Sequence, residues 1–355
     1  AVVCVLFTAT AVNAQEIELS NAKSWEVSGK VQLQHEADTK AKTNDDKTMQ
    51  GFRIRRARLQ VKAKLTKQIN TELQIDVRDN NPELKDAIGE LELAGDTYLR
   101  FGQFKVPLWR EELRSSSKLM LIERSDAAEF LVDNYLSSRH IGAEFGGEIG
   151  DVVEFAVNYS NGSGQGERED AGANKSNDVN NGKLIVGRIN LDFNKNIEVG
   201  VSAARNELGR KIGQNDNTGP VSVVAPDFKL SADIREKMEV TFEGNLAIGS
   251  LDKNYLNTDK SVSFRLYDFT GIWTQKFAHD IDALAGLDKV GFAAGIYNVE
   301  PNTDLNKDEE TGIRFGPVFY FGKNSFLQVN GELTKYTKDD KESDFKVRSQ
   351  FTFNF

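Results

Sequence analysis

The sequence has little cysteine and no long apolar run, and each shortage excludes a class of protein. Its 355 residues include one cysteine, Cys4, so no disulfide framework can form. After the first residues, no segment approaches the ~20 apolar residues that a membrane-spanning helix needs. The formal net charge is -9, which gives no support for nucleic-acid binding, because that would favour a basic patch.

The sequence also lacks a recognisable catalytic or metal-binding constellation. Its three histidines are scattered, and no glycine-rich phosphate loop is present. Ser138 and His140 allow a serine-hydrolase alternative, which stays weak because a triad is recognised by geometry. Residues 304–309 resemble a calcium loop, but Glu309 stands where that loop needs glycine. We therefore expect no enzyme, no metal and no cofactor.

What the sequence does contain is a succession of two-faced strands. In the last of them Phe345, Val347, Phe351, Phe353 and Phe355 alternate with polar residues. Strand side chains alternate between two faces, so one face is apolar and the other polar. A strand of this kind would be an aggregation hazard in water, but it suits a closed barrel whose phenylalanine face meets lipid. A terminal phenylalanine resembles the assembly signal of outer-membrane barrels. A soluble all-β protein is the alternative, because alternation alone is a weak signal.

Similar spans of about ten residues recur along the chain. We predict strands at 24–36, 51–64, 70–79, 84–93, 97–105, 138–147, 151–160, 182–193, 197–205, 221–232, 237–249, 260–276, 288–299, 310–322, 325–337 and 344–355. Short and long connections alternate between them, as periplasmic turns and external loops do. The predicted fold is all-β, a transmembrane antiparallel β-barrel of about 16 strands.

The first fourteen residues are apolar and uncharged. Val12-Asn13-Ala14 before Gln15-Glu16 approximates a small-x-small cleavage site, so residues 1–14 are expected to be the remnant of a secretory signal peptide. A buried first strand or helix is the alternative. The barrel would then occupy residues 15–355.

One long connection, 106–134, differs from the others. Leu119, Ile122, Ala127 and Phe130 fit helical spacing, and the serines at 115–117 can cap a helix that starts at Lys118. We predict an inward-folded helical constriction loop. An external helical lid is the alternative, because periodicity does not say where a loop folds.

The richest basic cluster lies on the second predicted strand, in residues 51–65, which contain no acid. Up to and including Arg55 the arginines occupy odd positions, and from Arg56 onward the cations occupy even positions. A β-bulge between Arg55 and Arg56 would turn all the cations toward the lumen. A line of positive charge in a narrow channel favours anions. Alternatively, these cations pair with the acids of neighbouring strands, among them Asp76 and Asp86.

Several short sequence blocks, the first of them on this strand, follow one another as far as residue 142. They are 55–59 (Arg-Arg-Ala-Arg-Leu), 84–87 (Leu-Lys-Asp-Ala), 99–107 (Leu-Arg-Phe-Gly-Gln-Phe-Lys-Val-Pro), 111–113 (Glu-Glu-Leu), 116–118 (Ser-Ser-Lys), 122–125 (Ile-Glu-Arg-Ser) and 139–142 (Arg-His-Ile-Gly). In order and spacing they resemble the phosphate-selective porin O and P family. The resemblance implies a sixteen-stranded outer-membrane channel, commonly a homotrimer, that passes anions such as phosphate or polyphosphate.

The resemblance also implies roles for the arginine pair Arg55 and Arg56 and for the serines of the loop. Two positions depart from the family pattern, since Arg58 replaces a tyrosine, and Leu113, followed by Arg114, replaces a lysine. The predicted anion pathway comprises Arg53, Arg55, Arg56, Arg58, Lys62, Lys64, Arg114, Ser116, Ser117, Lys118 and Arg124.

The predicted function is passive, anion-preferring diffusion across the outer membrane of a Gram-negative-type bacterium. The expected partners are small anions, outer-membrane lipid and lipopolysaccharide, and two further copies in a homotrimer. A non-selective or cation-preferring porin is one alternative. The other is a barrel that sheathes an envelope partner such as an electron-carrying cytochrome.

Overall fold

The two-faced strands close into one barrel. In a computed structural model, sixteen antiparallel strands form a closed ring. The structure describes residues 23–42, 48–78, 81–166, 181–209, 211–212, 215–338 and 342–355. The predicted signal remnant at 1–14, with Cys4, lies outside the described residues. Closure leaves each barrel strand paired on both sides, so no open edge meets lipid. The predicted fold class is confirmed.

The described residues contain eighteen strands, three short α-helices and one 3-10 turn. The strands are β1 (Ser24–Lys42), β2 (Thr48–Lys64), β3 (Ile69–Asp76), β4 (Glu83–Glu92), β5 (Thr97–Lys105), β6 (Arg139–Ile149), β7 (Val153–Ser160), β8 (Leu184–Asn194), β9 (Ile197–Leu208), β10 (Lys211–Ile212), β11 (Asn215–Asp216), β12 (Gly219–Arg235), β13 (Met238–Leu251), β14 (Val262–Ile281), β15 (Leu287–Glu300), β16 (Glu310–Phe321), β17 (Ser325–Tyr336) and β18 (Asp344–Asn354). The helices are α1 (Arg110–Leu113), α2 (Asp126–Asp133) and α3 (Lys253–Leu256), and the 3-10 turn is Asp282–Leu284.

Neighbours in sequence are neighbours in the barrel, with two exceptions. The strands β10 and β11 form a separate hairpin, so β9 pairs with β12. The ring closes where β1 meets β18, with Leu33 opposite Phe351. In the described part of the chain, no helix has the length and apolar character needed to cross a membrane.

Burial along the strands is the reverse of that in a water-soluble protein. On β9, Val199 and Val201 are exposed, whereas Ser202 and Asn206 are buried. On β16, Phe315 is exposed and Arg314 is buried. Apolar side chains therefore form the outer surface and polar side chains line the lumen, as lipid outside and water inside require.

One end of the barrel carries only short connections, and we call it the short-turn end. Its turns are 65–68, 93–96, 150–152, 195–196, 236–237, 282–286 and 322–324. In outer-membrane barrels this end faces the periplasm. The predicted end of the long strand at residue 276 is too early, because β14 continues to Ile281 and pairs there with Leu287. The following turn, 282–286, is thus also a short one.

The predicted bulge in β2 is present. Arg56 pairs with Gln32 and Ile54 pairs with Leu33, which leaves Arg55 as the extra residue. An extra residue in one strand shifts the alternation by one position. As a result Arg55 and Arg56 both turn inward, where the inner loop meets them.

Candidate functional site

The connection between β5 and β6, residues 106–138, lies inside the barrel, and we call it the inner loop. Its contacts reach opposite walls. Gln32 on β1 donates to the carbonyl oxygen of Ser116 at 3.2 Å, and the amide of Ile122 donates to Asn330 on β17 at 2.7 Å. Arg110 binds Asp227 on β12 at 2.7 Å. Since β12 lies seven places around the ring from β1, the loop crosses the lumen.

The longer helix of the inner loop, α2, begins later than the sequence suggests, and the short helix α1 precedes it. Prediction of a helix from Lys118 capped by residues 115–117 is wrong, because α2 runs from Asp126 to Asp133 and Ser125 caps it. The hydroxyl of Ser125 accepts from the amide of Ala128 at 3.3 Å and donates to Glu111 at 2.6 Å. Residues 116–122 instead direct backbone groups to the barrel wall, so those groups do not form helical bonds.

An apolar patch of the inner wall holds α2 in place. Ala127, Ala128 and Leu131 are fully buried among apolar side chains of the strands from β8 to β15. Phe130 lies 5.0 Å, centroid to centroid, from Phe264 of β14. Burial of this face explains why part of the lumen wall is apolar, and it seats one side of the loop against β8–β15.

On the side that faces β2, the carboxylate of Glu123 holds the loop in place. Arg55 donates two hydrogen bonds to it, at 2.6 and 2.9 Å, and Gln34 donates a third at 3.1 Å. Arg56 and Arg53 lie 3.6 and 3.8 Å away. Three guanidinium groups of β2 therefore converge on a single acid of the loop, in a fork geometry that suits a carboxylate.

The environment of Glu123 sets its charge. Burial alone would raise the pKa of its carboxyl, but the hydrogen bond and charge of Arg55, the charge of Arg56 and the bond from Gln34 outweigh it and lower the pKa to about 2. The loop is thus anchored to β2 by an ion that stays charged throughout the ordinary pH range.

The remaining predicted cations, apart from Lys118, also have acidic partners. Arg58 binds Asp76 at 2.9 Å, Lys62 lies 3.8 Å from Glu72, and Lys64 lies 3.5 Å from Glu92. In the inner loop, Arg114 binds Glu243 of β13 and Arg124 binds Glu112 at 2.7 Å. Arg124 also donates to the carbonyl oxygens of residues 111, 112 and 114, so it braces the loop itself.

The predicted serines contact a lysine that the sequence analysis did not single out. The ammonium group of Lys30 on β1 lies 2.9 Å from the hydroxyl of Ser115 and 3.3 Å from those of Ser116 and Ser117. Lys30 belongs to the inward set of β1, so the alternation carries a signal for it. Its serine partners depend on how the inner loop folds back.

Lys30 opens onto a cavity of about 450 Å³ between the inner loop and the short-turn end. Its lining includes Lys118, Lys289, Lys323 and Arg58, and no aspartate or glutamate side chain. Within the described part of the chain, none of the four lysines forms an ion pair. We call Lys30, Lys118, Lys289 and Lys323 the lysine cluster. The cluster brings together β1, β15, the turn 322–324 and the inner loop. No local sequence pattern indicates that these four lysines lie close to one another.

The surroundings of His140 do not support the serine-hydrolase alternative. His140 is buried, its Nε2 lies 3.1 Å from the carbonyl oxygen of Ser137, and its Nδ1 accepts from the amide of Gly164 at 3.2 Å. Both ring nitrogens are thus engaged with backbone groups. His140 is not placed to act as a base for Ser138.

The anchoring role of Glu123 is testable. At pH 7, Glu123→Gln should lower the free energy of unfolding by about 3 kcal/mol, because the depressed pKa measures how strongly the folded state favours the charged carboxyl. This contribution is present above pH ~4.3, the unfolded value, and is lost as the pH falls through about 2. Urea unfolding in lipid vesicles at several pH values measures it.

Glu236→Gln is the matched control, since Glu236 is exposed in the turn between β12 and β13. It should leave the unfolding free energy unchanged at every pH. Equal stability of wild type and Glu123→Gln at pH 7 would contradict the anchor.

Comparison with known proteins identifies the fold and the family. The barrel superposes on an anion-selective porin from Comamonas acidovorans with a TM-score of 0.62, at 12% identity, over 94% of this chain and 99% of that chain. It superposes on OprB of Pseudomonas putida with a TM-score of 0.65, at 10% identity, over 95% of each chain. The trimer form of Vibrio cholerae OmpT gives a TM-score of 0.55, at 12% identity, over 93% and 99%. At such identities the likeness is one of fold.

No curated protein shows a significant sequence match to this chain. The model of the family described as phosphate-selective porin O and P matches residues 26–203, which is half of the chain. That stretch runs from β1 into β9 and includes the bulge, the inner loop and its serines. The chain is therefore an outer-membrane porin of Gram-negative bacteria, a passive diffusion channel that belongs to the phosphate-selective porin O and P family.

Proposed function

We propose that the channel prefers anions and that the lysine cluster, more than the arginines of β2, provides the preference. This proposal rests on one observation, namely which of the lumenal cations have acidic partners and which do not. The arginines face carboxylates at hydrogen-bonding or ion-pair distance, whereas the lysine cluster has no carboxylate partner among the described residues. Uncompensated fixed charge in a narrow water-filled path lowers the energy of the opposite ion.

The arginines add a smaller contribution. Arg53, Arg55 and Arg56 bring three positive charges to Glu123, and the side chain of Arg53 is 47% exposed. Arg56 is only 5% exposed. A solute that passes the inner loop therefore meets mainly Arg53 from this group. The nine cations of the predicted pathway thus divide into anchors, such as Arg56 and Arg124, and accessible cations, such as Arg53 and Lys118.

The inner loop acts in this proposal as the constriction. It is tied to β1, β2, β12, β13 and β17, so it narrows the lumen from several sides. A loop that crosses the lumen leaves little room for a protein inside the barrel. This argues for a channel over a sheath around an envelope cytochrome.

Reversal potentials in a planar bilayer under a KCl gradient test the anion preference. Replacing both Lys30 and Lys289 by glutamine should lower the ratio of chloride to potassium permeability by roughly fivefold or more, because one unit charge at ~4 Å in water is worth about 1 kcal/mol. The reversal potential should move toward the potassium equilibrium value.

Lys195→Gln is the control for this pair. Lys195 lies in a short turn, 79% exposed and 3.5 Å from Asp233, away from the cavity. It should leave the reversal potential unchanged. A cation-selective wild-type channel, or a double variant that matches wild type, would refute the proposal.

A cation-preferring porin is the second candidate, and the exposed side of α2 favours it. Asp126, Glu129 and Asp133 are exposed residues of this helix, which lies inside the barrel. Partial desolvation inside the barrel, together with the charges of Glu112 and Asp133, raises the pKa of Glu129 despite the opposing charge of Arg124. Glu129 therefore begins to lose its charge at a higher pH than ordinary glutamates do.

The pH dependence of selectivity tests whether the acidic side of α2 acts on the permeating ions. As the pH falls from 7 toward 4.5, wild-type channels should become more anion-selective, because protonation of Glu129 removes a negative charge from the path. Glu129→Gln should show the higher anion preference already at pH 7 and a smaller change on acidification. A Glu129→Gln channel that titrates like wild type would show that this acid does not act on the permeating ions.

We also infer that the protein is a homotrimer in a shell of outer-membrane lipid and lipopolysaccharide. The support is the family membership and the likeness to a porin solved in a trimer form. Mass measurement of the detergent-extracted protein, before and after heating, should give three times the chain mass and then the chain mass. A single-chain mass before heating would contradict the trimer.

A further inference from the structure

The lumen wall beneath the inner loop carries aromatic rings where most of its neighbours are polar. Along β17, Phe326 takes an inward position that is otherwise occupied by Gln328, Asn330, Glu332 and Thr334. Phe326 points away from lipid and is only 7% exposed, so neighbouring side chains cover most of its ring and one edge lines the cavity.

The strand register shows that this ring belongs to a row. Lys289 on β15 lies opposite Tyr320 on β16, and Tyr320 lies opposite Phe326 on β17. The two rings have centroids 5.8 Å apart at 41°. The ammonium group of Lys289 lies 4.0 Å from the centroid of the Tyr320 ring. A cation and two aromatic rings are therefore held side by side on the wall.

Two adjoining cavities share this row. The first, of about 450 Å³, holds the lysine cluster, and the second, of about 390 Å³, is lined also by Leu119, Met120 and Ile272. Glu239 is the one acidic side chain in the lining of the second cavity, and the first has no aspartate or glutamate side chain. A larger cavity at the same end, of about 680 Å³, has Glu26, Glu72 and Glu90 among its lining residues. The excess of positive charge is thus a property of this place and not of the whole short-turn end.

We propose that the cavity of about 450 Å³, together with the adjoining one that shares Tyr320 and Phe326, is a binding site for organic anions that join a carboxylate to an apolar ring. The lysine cluster and the hydroxyls of Ser115 and Ser117 would receive the carboxylate, and Phe326, Tyr320 and the apolar side chains of the loop would receive the ring. The proposal deepens the anion preference proposed above and rests on it, since it names the class of anion that the channel retains best.

The size and chemistry of the site fit such a ligand. A volume of about 450 Å³ falls within the ~300–1,000 Å³ of ordinary small-molecule sites, and those sites combine apolar walls with a few convergent polar groups. An inorganic anion would use the lysines alone and make no contact with the rings. A neutral aromatic compound would leave the ammonium groups without a counter-charge.

Block of the chloride current through single channels tests the site. Benzoate, acetate, phosphate and benzyl alcohol are added in turn on the short-turn side, and the half-blocking concentration is measured for each. We expect benzoate to block at a concentration about tenfold lower than acetate, because an aromatic contact contributes a preference of this order. Benzyl alcohol should not block at the concentrations at which benzoate does.

Variants separate the two halves of the site. Lys289→Gln should weaken block by benzoate and by acetate to the same degree, so their ratio stays constant. Phe326→Leu should weaken block by benzoate about tenfold and leave acetate unchanged. Should Phe326→Leu fail to assemble, Tyr320→Leu makes the same comparison. Lys195→Gln should alter neither.

Two results would overturn the proposal. One is equal half-blocking concentrations for benzoate and acetate, and the other is benzoate block that survives both Phe326→Leu and Tyr320→Leu. Tighter block by phosphate than by benzoate would also overturn it and would mark the lysine cluster as a site for inorganic anions. Failure of the anion preference itself is read from the reversal potential in KCl, without any blocker, and so remains a separate outcome.

Discussion

The carboxylate of Glu123 is the point on which the interior of the barrel depends. Without it, Arg55 and Arg56 would stand next to each other, largely removed from water and without a counter-ion, a situation that costs several kcal/mol. With it, the β-bulge of β2 and the inner loop stabilise each other. The bulge supplies two adjacent inward arginines, and the loop supplies the acid that both require.

The other contacts of the loop follow from that anchor. With one side tied to β2, the apolar face of α2 reaches the patch on β8–β15, and Arg110 and Arg114 reach acids on β12 and β13. Residues 115–117 then lie against Lys30 on β1. In the function proposed above, arginines such as Arg55, Arg56 and Arg124, with their planar forks, hold the structure together, and the lysine cluster, which has no acidic partner among the described residues, faces the solute.

The sequence predicts what alternation and local spacing determine. The period-two pattern gives the barrel, its sixteen strands and the inward cations, and the change of phase at Arg55 locates the bulge. Contacts between distant residues are beyond such reasoning. Nothing near Glu123 in the sequence indicates Arg55, and Lys289 and Lys323 join Lys30 only because the barrel closes. The start of α2 was misplaced for a related reason, since residues 116–122 bind the wall with the backbone groups that a helix would use.

Anomalous diffraction from crystals soaked in bromide tests the central claim most directly, because it locates an anion without any assumption about conductance. The account predicts bromide in the cavity between the inner loop and the short-turn end, beside Lys30, Lys118 and Lys289. Bromide bound only beside Arg55 and Arg56, with none in the cavity, would contradict it and would return the anion pathway to the arginines of β2.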